Sequence, residues 1–207
     1  AHTGAFQDLA GSTSTEVDGR LSLSSANGAA PIGTPLMRDR VGMPLGGSVF
    51  SASFRPELPQ ILGEGYGIFL WQPATFPDGR DNGLLFGLFS FPDAADRAVL
   101  PAACSDAPLV VLARAMYFGV EDYSVDCEPV EASALGTEVV LRVDLATQPA
   151  TLSYSLDGVD FTTFSGQNWP AWVIPELVGV FAQGEIPASF MGIASGAVIA
   201  CALLAPA

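Results

Sequence analysis

The feature that most constrains this chain is a short-range alternation of apolar and polar residues, repeated in brief segments and broken each time by glycine, proline, asparagine or aspartate. Successive side chains of a strand point to opposite faces, so alternation buries one face and wets the other. Segments 18–25 (DGRLSLSS), 48–55 (SVFSASFR), 66–72 (YGIFLWQ), 83–91 (GLLFGLFSF), 108–118 (PLVVLARAMYF), 138–146 (EVVLRVDLA), 150–156 (ATLSYSL), 159–164 (VDFTTF) and 177–183 (LVGVFAQ) read as strands. Asn27-Gly28, Gly46-Gly47, Pro77-Asp78-Gly79, Asp81-Asn82-Gly83 and Asp157-Gly158 stand between them as turns. With 22 Gly and 16 Pro there is little room for helix, and only 94–97 and 131–135 read as helical, about one turn each. Many short strands with such punctuation predict a sandwich or a barrel, and 207 residues fit one domain spanning 1–207.

The segment TLSYSLDGVDFTTF (151–164) predicts a hairpin. Leu152, Tyr154 and Leu156 fall on one face of its first strand and Ser153 and Ser155 on the other. Asp157-Gly158 suits a tight type I′ turn, because both central positions need positive φ.

Composition narrows the partners. The net charge is -14, and all 8 basic residues are arginine, a balance that argues against nucleic acid and against anionic membrane surfaces. Only 14% of residues are charged and 49% are hydrophobic, which implies either an exterior of small residues or one covered by neighbouring subunits. Beyond Glu185 no charged side chain appears, and the stretch 186–207 is long enough to cross a bilayer. Its Gly, Ser and Pro content, the lack of flanking Arg or Lys, and a split into 189–194 and 197–204 about Ser195-Gly196 predict a buried final hairpin instead; contact with lipid or another subunit is the alternative. The first residues carry no basic or apolar region of a signal peptide, and the start at Ala1 reads as a processed form.

The order LSYSLDGVDFTTF, a tryptophan-containing loop, then VGVFAQ resembles the tail half of concanavalin A-like lectin/glucanase sandwiches, the LamG-like jelly rolls. DGRLSLSSANGAAP, GSVFSASFR and YGIFLWQ look like the strands that open such a fold, and the specific part of the resemblance covers residues 151–183. It implies an all-β, two-sheet antiparallel jelly-roll sandwich and a carbohydrate-related role.

Relatives that hydrolyse glycans carry acids at alternating strand positions, about 5–5.5 Å apart in retaining enzymes. No Glu-x-Asp-x-Glu is present. Glu16 and Asp18 share a face at an entry turn, and Asp126 and Glu128, alternating around Cys127, are the better hydrolase pair. The sole histidine, His2, leaves no oriented imidazole for a serine or cysteine triad, and no nucleophile elbow or phosphate loop appears. For binding, Trp169 and Trp172 in the loop SGQNWPAW, with Trp71 and Tyr66, are the rings placed to stack on sugars; Tyr117 and Tyr123 are further candidates. Asp78, Asp81 and Asn82 offer oxygen ligands of the kind calcium takes, or serve the turn alone; no other cofactor is expected. Cys104 and Cys127 flank a strand-like run and either bridge in an oxidising compartment or remain thiols, while Cys201 reads as a buried thiol. The expectation is a non-catalytic lectin-like adhesion or structural subunit, extracellular, on a cell surface or on a virus particle. Its expected partners are a glycan or polysaccharide and further copies or neighbouring subunits, and the alternative is a secreted glycoside hydrolase or polysaccharide lyase.

Overall fold

A computed structural model describes residues 6–8, 13–17, 20–24, 39–44, 48–55, 65–72, 82–98, 100–117, 121–147, 150–165, 175–183, 188–195 and 198–199. Its strands are β1 (Phe6–Asp8), β2 (Thr13–Val17), β3 (Arg20–Ser24), β4 (Asp39–Pro44), β5 (Val49–Phe54), β6 (Gly65–Gln72), β7 (Asn82–Ser90), β8 (Leu109–Tyr117), β9 (Glu121–Pro129), β10 (Val139–Asp144), β11 (Thr151–Ser155), β12 (Thr162–Thr163), β13 (Leu177–Gln183), β14 (Ala188–Ser195) and β15 (Val198–Ile199). Helix is confined to one turn, α1 (Ala94–Arg97), and to 3-10 turns at Ala102–Cys104 and Ala132–Ala134.

The strands form two antiparallel sheets. The first runs β1-β4-β13-β6-β7-β8-β9 and the second β12-β11-β10-β5-β14-β3-β2, with β15 paired to β14. From β3 to β6 the chain steps from one sheet to the other at every strand; β6 to β9 and β10 to β12 are then local meanders. The last long strands fill the gaps left behind, β13 between β4 and β6, and β14 between β3 and β5. The fold is a jelly-roll β-sandwich. The uncharged C-terminal stretch is explained as far as Ser195 by this placement, since β14 has a strand bonded on either side. The expected final hairpin is present, with Ala194 opposite Ile199 and Ser195 opposite Val198. Among the described residues no helix is long and apolar enough to cross a membrane.

Two apolar layers hold the strands. Between the sheets, Phe50 and Phe54 of β5, Leu141 and Val143 of β10 and Leu152 of β11 meet Ile68, Phe86 and Val180 of the first sheet. On the opposite face of the first sheet, Phe69, Trp71, Leu85, Phe89, Leu112 and Phe181 form a second layer, joined by Phe91, Leu100 and Cys104 from the segment that carries α1. Strands β6 and β7 are therefore buried on both faces, which is why their sequences are nearly continuous apolar runs instead of alternating ones.

Four strands, β1, β2, β4 and β9, lie outside the segments that alternation picks out. β2 and β9 are rich in hydroxyl and acidic side chains, and β9 closes one edge of its sheet. An edge strand needs no apolar run, and charge there discourages pairing with another chain. The segment 159–164 contracts to β12, and Ser153 and Ser155 are buried, so β11 is covered on both faces and not on one.

Candidate functional site

The link between β11 and β12 is not a two-residue turn. Tyr154 pairs with Thr162, and the six residues 156–161 lie between the end of β11 at Ser155 and the start of β12. Asp157 organises it. Its Oδ1 accepts from the Val159 and Asp160 N–H groups at 2.8 and 2.9 Å and from the Ser155 hydroxyl at 2.9 Å, and these bonds, that from Val159 first, hold its carboxyl below the usual aspartate range. Gly158 takes φ 82°, the left-handed region where a Cβ is strained, and the Gly136 N–H anchors the loop base on the Leu156 carbonyl at 2.7 Å. The type I′ expectation fails because a side-chain oxygen satisfies the amides that a tighter turn would have paired across the strands.

This anchored loop displays Val159, 76% exposed, and Phe161, 40% exposed. The Phe161 ring lies against the outer face of the second sheet, its centroid 4.1 Å from Cζ of Arg142, whose Nε reaches the Ser51 hydroxyl at 3.4 Å. Arg142 stands opposite Ser51 on β5 and Ser153 on β11, and Ser153 stands opposite Thr163, so a guanidinium and hydroxyls form one row across the sheet.

A second group joins the two sheets at their rim. Glu128 of β9 accepts the Tyr154 phenol proton at 2.7 Å on Oε2 and the Ser165 N–H on Oε1. Burial, followed by the hydrogen bond to Glu128 and that carboxylate's charge, drives the Tyr154 phenol above its ordinary range. Asp126 lies on the same face of β9, two residues away. Any proton that Glu128 took from a substrate would compete with Tyr154 and Ser165 for its oxygens. Nearby, Cys104 and Cys127 are joined (S–S 2.10 Å, Cα–Cα 6.3 Å), fastening the segment after α1 to β9.

The residues expected to stack on sugars are placed otherwise. Tyr66, 3% exposed, belongs to the core between the sheets, and Trp71, 6% exposed, to the second apolar layer, so neither offers a ring face at the surface. Ring chemistry alone does not bring an aromatic to the surface, since a strand buried on both faces puts any aromatic inside. Trp169, Trp172, Asp78, Asp81 and Cys201 lie outside the described residues, as does the side chain of Asn82, whose backbone opens β7. Among the described residues no group of three or more His, Cys, Asp and Glu side chains is placed to hold a metal ion.

Phe161 and Arg142 escape an alternation-based reading, yet a signal exists. Phe161 and Phe164 are three residues apart, and an odd spacing cannot put both on one face of a strand. Phe164 is the buried one, packed edge-on to Phe86 at 5.5 Å between centroids.

No protein-family model matches the chain, and neither does a curated protein. Solved structures do. A functionally unknown protein from Saccharomyces cerevisiae is similar at TM-score 0.53 and 13% identity, over 94% of this chain and 96% of that one. The GH43 BlXynB protein from Bacillus licheniformis is similar at TM-score 0.51 and 16% identity; the match takes in 83% of this chain but only 31% of that one. A protein of unknown function with a galectin-like fold from Bacillus subtilis aligns at TM-score 0.49 and 11% identity, over 91% of this chain and 86% of that one. At such identities the first two likenesses bear on fold, and they agree with a two-sheet β-sandwich.

Proposed function

We propose that this chain is a lectin-like β-sandwich of concanavalin A-like type that attaches to glycans and performs no chemistry of its own. Its setting is extracellular, as an adhesion or structural subunit on a cell surface, an appendage or a virus particle, beside copies of itself or neighbouring subunits. The observation that carries the reading is the occupation of Glu128. One acid of the Asp126/Glu128 pair, Glu128, already accepts from Tyr154 and Ser165, and so serves to tie the sheets together. The single histidine, at position 2, removes most other routes to catalysis. The fold likeness to part of a GH43 glycoside hydrolase chain is a support for a sugar-directed role.

That same likeness, with Asp126 and Glu128 on one strand face, favours the second reading, a glycoside hydrolase or polysaccharide lyase. One pair of measurements separates them. A glycan array on the intact chain, repeated with Trp169→Ala and Trp172→Ala, should show retention of at least one glycan class, while reducing-end release on a polysaccharide panel stays at background. Release that disappears in Asp126→Asn establishes the hydrolytic reading, and an array without any retained glycan removes the attachment reading.

A further inference from the structure

We propose that the loop 156–161 and the outer face of β10 form a binding site for a neutral, hydroxyl-rich saccharide, with Phe161 as the stacking platform and Arg142 as the hydrogen-bond donor. The inference rests on the glycan reading above and assigns it to residues other than Trp169 and Trp172.

The two large hydrophobic residues that stand exposed among the described ones, Val159 and Phe161, fall in the same loop. Exposed apolar side chains gathered in one loop mark a contact surface in a way that singly scattered ones do not. The loop is also held in one conformation, by the three bonds to Asp157 Oδ1 and by the Gly136 anchor, so a ligand meets a platform that is already ordered. Among the described residues the contacts of the Arg142 guanidinium are the Phe161 ring and one long bond to Ser51, and no carboxylate pairs with it. The stacked ring fixes the orientation of this cation and leaves its terminal N–H donors for oxygen acceptors outside the chain.

An aromatic face beside a fork of donors is the surface that a pyranose ring requires, since it presents a patch of C–H groups flanked by hydroxyls. The charge nearby selects among sugars. Asp160 is exposed in the loop beside Phe161, and Asp144 follows Arg142 two positions along the same face of β10. Both are acceptors for sugar hydroxyls and both repel a carboxylate or a sulfate, as does a net charge of -14. A neutral saccharide fits this mixture of donors and acceptors better than a uronate or a sulfated glycan.

The experiment titrates neutral and acidic oligosaccharides into the full chain by calorimetry and by amide chemical shift, alongside Phe161→Ala, Phe161→Trp, Arg142→Gln and Trp169→Ala/Trp172→Ala. Neutral sugars should bind, with shifts centred on Arg142 and residues 157–163. Phe161→Ala and Arg142→Gln should each weaken binding by roughly tenfold or more, and Phe161→Trp should retain it. All variants should keep the wild-type amide spectrum outside the loop, which separates lost binding from lost fold. Binding that survives Phe161→Ala and Arg142→Gln but fails in Trp169→Ala/Trp172→Ala overturns this site and leaves the glycan reading standing. Preference for acidic sugars overturns the neutral class, and an absence of any binding to the wild type overturns both proposals.

Discussion

Tyr154 links core and rim in one residue: its ring packs between the sheets and its hydroxyl reaches Glu128 on the far sheet. Because burial and the neighbouring carboxylate both raise the phenol's pKa in the fold, the neutral phenol is favoured there over the unfolded chain. Its contribution is fully present below the ordinary tyrosine range near pH 10 and is lost progressively as the pH rises beyond it. Denaturant midpoints measured from pH 8 to 12 should fall above about pH 10 in the wild type, and Tyr154→Phe should flatten much of that limb while losing roughly 1 kcal/mol at neutral pH, because Glu128 Oε2 loses its donor and only Oε1 keeps one, from Ser165. Asp157 has the opposite sign: its lowered pKa stabilises the loop above the usual aspartate range, and that support goes as the pH falls through the folded value. In Asp157→Ala the Val159 and Asp160 amides should exchange with solvent markedly faster while those of β10 stay protected; unchanged exchange would remove Asp157 as the organiser of the loop. The sequence announces a turn at Asp157-Gly158 plainly, but whether aspartate serves by its backbone or its carboxylate depends on the register of β11 against β12.

At the scale of elements, the first sheet depends on two strands that approach without side chains between them. Gly67 of β6 stands opposite Gly87 of β7, and a Cβ on Gly67 would come 2.2 Å from the Phe86 carbonyl oxygen. Gly67→Ala must therefore push the central strands apart, at a cost of about 1–3 kcal/mol or more, read as a lower denaturant midpoint at unchanged slope. The segment covering the second apolar layer is fastened twice. Arg97 donates to the carbonyls of Phe91 and Pro92 at 2.9 and 2.7 Å and of Ser105 at 3.2 Å, and Cys104 is bonded to Cys127 of β9, 23 residues along the chain. Replacing both cysteines by alanine should cost about 3 kcal/mol, with hydrogen exchange rising first across residues 92–107. The one-turn helices near 94–97 and 131–135 are legible in the sequence because proline and small residues leave no longer alternative. The second layer is legible only in hindsight, in the unbroken apolar runs of β6 and β7 that a one-faced strand would not need.

For the whole molecule the decisive feature is where the last strands go. Until β13 enters, β4 has no bond to β6, and until β14 enters, β3 has none to β5, so each sheet stays in two pieces. A chain ending at Glu176 should therefore fail to fold, with no cooperative melting transition, although it retains most of the core residues; a cooperative transition in that fragment would contradict the closing role of β13 and β14. Alternation of the kind seen in SVFSASFR and EVVLRVDLA determined the all-β class and most strand positions, because strand geometry is a local property of consecutive residues; of the expected turns, Asn82-Gly83 instead opens β7. Tertiary structure alone decided which strands became neighbours, that Tyr66 and Trp71 went inside, and that Phe161 came out beside Arg142. Those outcomes depend on segments far apart in the chain closing on one another, and adjacent residues carry no record of which distant strand will cover them.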